Sequence, residues 1–240
     1  MKGIVLAGGL GKRLAPLTKG ISKQLLPVYK YPMIYFPINT LLSMGIKDIL
    51  IITTEDQQNL FKETLKDLKC ANFSFTIQDQ PKGLAEAFII AEEWLNGSDV
   101  TLVLGDNIIL NNSSIISEPN TIFSYTVKNP SSYGVVVRDE NNKVLTLIEK
   151  PQHFVSKEAV IGLYVLKNSA CQYAKTLKPS KRGELEIVDL LLAMNAVEQN
   201  INVHKIDGFW FDGGTHDDLL DCGNLIKALE CRTNKSYDLT

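Results

Sequence analysis

Cysteine and histidine are scarce in this chain. Of 240 residues, four are cysteine and three histidine. Cys70, Cys171, Cys222 and Cys231 form no C-x-x-C pair, so the spacing of a zinc centre is missing. The cysteines read as buried filler in a reducing compartment. A surplus of positive charge is also missing. Twenty-five Lys and Arg stand against 27 Asp and Glu, a formal net charge of -2. General nucleic-acid binding wants a basic surface, so a polyanion must be held by a local cluster of cations. No apolar run approaches a membrane span, and the sequence enters a strand directly after Met1. A cytoplasmic location with no membrane attachment is therefore expected. Internal repeats, low-complexity stretches and long linkers are absent, and residues 1–240 are expected to form one domain.

What the chain does have begins at Gly3. The apolar run Gly3 to Leu6 reads as a buried strand, and Gly8, Gly9 and Gly11 follow within four positions. Glycine lacks a Cβ, so backbone N–H groups there can close directly on an anion. Arg13 and Lys23 come next, the first a fork for phosphate oxygens, the second a point charge. Two familiar glycine loops are excluded. A dinucleotide fingerprint needs glycine where Leu14 stands. A P-loop needs glycine at Leu6 and Ser or Thr at Arg13.

The first hundred residues alternate strand and helix. Strands are expected near Asp48–Thr53, Phe73–Ile77 and Val100–Leu104, with helices over Met33–Met44, around Leu60–Leu68 and over Leu84–Leu95. The second half is richer in strands, at Thr121–Val127, Tyr133–Arg138, Val144–Glu149, Ala159–Leu166 and Ile201–Ile206. A hairpin turn is expected at Asn141–Asn142, and helices over Glu184–Gln199 and Thr215–Glu230. The class is α/β: a Rossmann-like, mixed, mostly parallel sheet flanked by helices. In such sheets ligands bind beyond the carboxyl ends of strands. The glycine loop and Gly105-Asp106 both occupy such ends. Asp212 follows the strand-like Phe209-Trp210-Phe211 and precedes two glycines. Two carboxylates so placed can share a Mg²⁺ that also takes phosphate oxygens, although Asp106 alone would serve equally as a turn or capping residue.

Six blocks in order carry a resemblance. They are the glycine loop with Lys23-Gln-Leu-Leu-Pro27, Gly105-Asp106-Asn107, Tyr133-Gly134-Val135, Glu149-Lys150-Pro151, Arg182 to Glu186, and Trp210 to His216. Together they resemble the sugar-1-phosphate nucleotidyltransferases, and within them the glucose-1-phosphate thymidylyltransferases. The resemblance implies a nucleotide-diphospho-sugar transferase fold with a nucleotide-binding half at about 1–107 and a sugar-binding half at about 108–230. It implies catalytic roles for Arg13, Lys23 and Lys150, and Mg²⁺ ligation by Asp106 and Asp212. The nucleotide falls to Leu6, Gly8, Gly9, Gly11, Gln78 and Gly83, the sugar and its phosphate to Asn107, Gly134, Glu149, Val160, Gly162 and Arg182. Tyr133 and Trp210 are open between pocket wall and core. His204 and His216 read as packing or structural residues.

The implied reaction joins dTTP and glucose 1-phosphate to dTDP-glucose and pyrophosphate, as a step towards dTDP-rhamnose and cell-surface polysaccharide. UTP- or CTP-dependent chemistry, a non-catalytic nucleotide-sugar binding protein, and a dehydrogenase weakened by Leu14 remain as alternatives. A homo-oligomer, dimer or tetramer, is implied. The sequence departs from the family at Leu10, Lys12, Ile161 and Gly213 and is short over Ile108–Asn120. Its early end matches family members without a C-terminal regulatory extension, so weak or purely competitive feedback inhibition is expected.

Overall fold

The computed structural model describes residues 1–111, 115, 118–140, 144–198, 201–233 and 236–239. In chain order the elements are β1 (Lys2–Leu6), β2 (Pro27–Val28), β3 (Tyr31–Pro32), α1 (Tyr35–Ser43), β4 (Asp48–Thr53), α2 (Gln58–Leu65), β5 (Asn72–Ile77), α3 (Glu86–Leu95), β6 (Val100–Leu104) and β7 (Asn107–Asn111). They continue with β8 (Thr121–Thr126), β9 (Gly134–Arg138), β10 (Val144–Glu149), β11 (Glu158–Leu166), α4 (Ser169–Thr176), α5 (Ile187–Glu198), β12 (Asn202–Lys205), β13 (Gly208–Asp212) and α6 (His216–Thr233). The fold is α/β, with a mixed, mostly parallel sheet flanked by helices, as the sequence pattern implies. The expected turn at Asn141–Asn142, the last residue of the helix expected to end at Gln199, and parts of the segment 108–120 lie outside the described residues.

The chain forms two compact units. The first comprises residues 1–81, 102–115 and 208–240. Its strands β1, β4 and β5 run parallel, with Gly3 opposite Ile49 and Leu6 opposite Ile52, then Asp48 opposite Asn72. Parallel strands buried on both faces demand unbroken apolar runs, and Ile49 to Ile52 are all at most 2% exposed. Gly3 admits α1: a Cβ there would stand 2.8 Å from Leu41 Cδ1. Beyond the end of β1 the Gly105 amide donates to the Leu6 carbonyl at 2.9 Å, which fixes the turn after β6 against the start of the glycine loop. A small antiparallel sheet, β7 with β13, sets Asn107 directly opposite Asp212. Near the end of the unit Tyr237 is buried against Tyr31 and Phe36.

The second unit comprises residues 82–101 and 116–207. Here β11 pairs antiparallel with β8 and β9, β10 pairs antiparallel with β9, and β12 runs parallel to β8. The register of β11 shifts between Val160 and Tyr164, on either side of Gly162; an extra residue in one strand bends it and re-aims its side chains. Helices α3 and α4 pack together, linked by Glu92 to Gln172 and Lys175.

Candidate active site

In the first unit the glycine loop leaves β1 and tightens into a short 3-10 turn, Lys12–Leu14. Gly11 precedes it at φ +60, a left-handed conformation that L side chains rarely adopt, and its carbonyl accepts from the Thr18 hydroxyl. Leu14 is fully buried and pins the turn, while Arg13 points outward. A second 3-10 turn, Lys23–Leu25, presents Lys23 and buries Gln24. A Cβ on Gly9 would lie 3.4 Å from Lys23 Cε, and one on Gly8 3.0 Å from Gln78 Oε1. Leu6, Gly8, Gly9, Gly11, Arg13, Lys23 and Gln78 therefore gather around one loop.

Two carboxylates face these cations. Asp106, 9% exposed, receives Lys23 Nζ on Oδ2 and Asn107 Nδ2 on Oδ1, the latter at 3.1 Å. Asp212 receives Arg13 Nη2 on Oδ2 at 3.3 Å. Asn107 is itself oriented, because the Trp210 indole N–H donates to its Oδ1 at 2.7 Å. An indole can only donate, so this bond turns the amide NH₂ towards Asp106. Burial, and then the charge of Asp106, push the Asp212 carboxyl above the usual carboxylate range, against the pull of Arg13 and Lys23. Two partly desolvated carboxylates that repel one another form a hard-oxygen donor pair that a divalent cation suits. Among the described residues no third carboxylate, histidine or cysteine joins them as a ligand group, so remaining coordination positions would fall to phosphate oxygens and water. His216 takes a structural place, its Nε2 3.2 Å from the Ala15 carbonyl.

The second unit holds another cluster. Glu149 ends β10 opposite Gly134 in β9. A Cβ on Gly134 would meet Val188 Cγ2 at 3.0 Å, Glu149 Oε2 at 3.2 Å and Val160 Cβ at 3.9 Å. Lys150 follows at φ +42, its amide bonded to the Tyr133 carbonyl, with Pro151 buried behind it. Lys150 Nζ lies 3.7 Å and Arg182 Nη2 3.4 Å from Glu149 Oε1. Burial raises the Glu149 carboxyl above its ordinary value, partly offset by Lys150. Arg182 is gripped by Glu186, through Nε at 3.1 Å and Nη2 at 2.6 Å, and Glu186 also accepts from the Ser180 hydroxyl.

The structure thus brings the sequence-derived residues into two groups. Gly83 belongs to the second unit, where a Cβ would collide with the Leu185 backbone at 2.4 Å; Gln78 belongs to the first.

A family model described as nucleotidyl transferase matches residues 2–228. The chain belongs to the nucleotidyl transferase family. It is 45% identical over 242 residues to a glucose-1-phosphate thymidylyltransferase of Neisseria meningitidis, covering 96% of this chain and 84% of that one. It is 44% identical to one of Mycobacterium tuberculosis, with 97% and 84% covered. Among solved structures it is similar to a glucose-1-phosphate thymidylyltransferase described from Bacillus anthracis, at TM-score 0.84, 34% identity and 94% coverage of both chains. A UDP-glucose pyrophosphorylase shares the fold at TM-score 0.83 and 23% identity.

Within this nucleotidyl transferase chain three supporting contacts were not foreseen from the sequence. Gln24 is buried, bonded to the Ser22 hydroxyl, and a Cβ on Gly105 would stand 2.8 Å from its Cγ. Glu186 fixes Arg182, and the i,i+4 spacing of opposite charges was its available signal. The Trp210–Asn107 bond joins residues 103 apart and leaves no trace in local sequence.

Proposed function

We propose that this nucleotidyl transferase couples dTTP with glucose 1-phosphate, giving dTDP-glucose and pyrophosphate. Two sets of observations support the reading: Arg13 and Lys23 stand with Asp106 and Asp212 around the glycine loop, and curated relatives 44% and 45% identical to this chain carry the thymidylyltransferase name. The pairing of two cations with two carboxylates carries the chemistry.

An oxygen of the sugar phosphate forms a bond to the α-phosphorus, and the bond from that phosphorus to the bridging oxygen of the leaving pyrophosphate breaks. The attacking phosphate is ionised at neutral pH, so alignment and charge neutralisation suffice, without a strong general base. Arg13 and Lys23 neutralise the triphosphate. Backbone amides of Gly8, Gly9 and Gly11 and the Gln78 amide hold the nucleotide. Lys150 and Arg182 take the sugar phosphate, and Glu149 accepts from sugar hydroxyls, with Gly134, Val160 and Gly162 lining that side. Asp106 and Asp212 hold Mg²⁺, which when bound supplies positive charge to the phosphate oxygens. Residues near 1–107 serve the nucleotide and those near 108–230 the sugar. The product is proposed to serve dTDP-rhamnose and cell-surface polysaccharide synthesis in the cytoplasm, through a homo-oligomer.

The test is a matrix of nucleoside triphosphates against hexose 1-phosphates with Mg²⁺, scored by pyrophosphate release. Release is expected to be greatest with dTTP and glucose 1-phosphate. No release from any pair defeats the enzyme reading; much faster release with UTP or CTP defeats only the thymidylyl assignment.

A further inference from the structure

Each cation assigned to phosphate is already engaged. Lys23 Nζ sits on Asp106 Oδ2, and both side chains are nearly buried, at 13% and 12% exposure. Arg13 Nη2 lies 3.3 Å from Asp212 Oδ2, on a side chain 59% exposed. The group carries two negative and two positive charges and is neutral in itself. Asp106 Oδ1 is held by Asn107, so its Oδ2 edge is the one that Lys23 covers.

A divalent cation arriving alone must displace Lys23 from that edge. It then leaves two protein cations and its own two charges around two carboxylates, in a place too dry for water to screen well. A polyphosphate arriving alone meets cations already neutralised. When both arrive, Lys23 and Arg13 can transfer to phosphate oxygens and the carboxylates can turn to the metal, so every charge keeps a partner. From this geometry, and resting on the assignment of Asp106 and Asp212 as metal ligands, we infer that Lys23 is an internal counter-ion that keeps metal off the free protein and makes metal and nucleotide bind as a coupled pair. Arg13, far more exposed, adds a smaller share. The coupling is reciprocal: metal tightens nucleotide by the factor that nucleotide tightens metal.

Lys23 is therefore more than a phosphate ligand. A ligand that merely contacts phosphate would leave the metal affinity of the empty protein unchanged on removal. A counter-ion would raise it.

The experiment is Mn²⁺ titration of the full chain without nucleotide, read as free Mn²⁺ by electron paramagnetic resonance. The wild type is expected to bind weakly. Lys23→Met, close in shape but uncharged, is expected to bind at least about tenfold more tightly; Lys23→Arg is expected to show no gain. Arg13→Met, at an exposed position that folding tolerates, is expected to show a smaller gain. Adding Asp106→Asn to Lys23→Met is expected to abolish the increase. Unchanged or weaker Mn²⁺ binding by folded Lys23→Met, checked by circular dichroism, overturns the inference; if Lys23→Met does not fold, unchanged or weaker binding by Arg13→Met overturns it. A separate arm tests the underlying assignment: the wild type should alter the resonance of Mn²⁺–dTTP, and Asp106→Asn and Asp212→Asn should lose that change. If neither does, the metal-ligand reading itself fails, whatever Lys23→Met shows.

Discussion

Asp106 and Asp212 sit opposite in kind to their neighbours, two acids among glycines, and each has one cation on it. Replacing either carboxylate with its amide keeps the shape and removes the charge. Asp106→Asn and Asp212→Asn are each expected to lower turnover roughly a hundredfold or more, by the several kcal/mol of transition-state charge stabilisation a metal supplies. Near-normal Mg²⁺-dependent rates in pyrophosphate-release assays would remove these residues from the metal site. Arg13 and Lys150 should fail differently. Charge shifts towards pyrophosphate during reaction, so Arg13→Ala should act mainly on kcat. The sugar phosphate is charged beforehand, so Lys150→Ala should raise KM for glucose 1-phosphate and leave the KM for dTTP less changed. Equal KM defects for both substrates would contradict the division. At this scale the sequence was informative where a charged residue stands close to a run of glycines, as at Arg13 and Asp212. It was silent where a long-range partner did the orienting, as Trp210 does for Asn107.

The same contrast holds for elements. Strand β4 was legible because burial on both faces makes its four central residues apolar without a break. Strand β7 was not: its partner β13 is about a hundred residues away, and Ile108 to Leu110 alone say nothing of pairing. Helix α4 was also missed, for its buried positions are only Ala170, Cys171 and Ala174, a faint stripe beside that of α3. Gly83 shows an element joint that periodicity does not reveal. At φ +106, with the Leu185 backbone in the place of a Cβ, Gly83→Ala is expected to cost more than about 3 kcal/mol, visible as a lowered denaturant midpoint. An unchanged midpoint would mean that the turn relaxes freely. Between strands, Arg138 on β9 grips Glu158 on β11 through Nε and Nη2, at 2.8 and 2.7 Å. These bonds hold the Glu158 carboxyl below its ordinary value of 4.5. A depressed carboxyl stabilises the fold above its unfolded pKa, and that contribution is lost as pH falls through the folded one. Arg138→Leu is therefore expected to be less stable than wild type by about 1–3 kcal/mol at pH 7. The gap should narrow as pH drops below 4.5. Melting temperatures of both proteins across pH check this, and a gap that widens in acid would refute it.

For the whole molecule the decisive feature is how the chain is divided. The first unit is assembled from three separate segments and the second from two, so the chain crosses from one to the other four times. Even β6 is shared, with Val100 and Thr101 assigned to the second unit and Leu102 to Leu104 to the first. Neither unit is a continuous stretch that can be synthesised and folded by itself. Cooperative unfolding of the entire chain is therefore expected, although its size permits separate transitions. The two tryptophans provide the test, because Trp94 lies in α3 of the second unit and Trp210 in β13 of the first. In Trp210→Phe the fluorescence reports Trp94 alone, and in Trp94→Phe it reports Trp210 alone. For each variant the fluorescence midpoint in urea is expected to coincide with the midpoint followed by far-ultraviolet circular dichroism, with one shared slope. A fluorescence transition well separated from the circular dichroism transition in either variant would show that the units unfold independently. The interleaving of their segments would then have no energetic consequence.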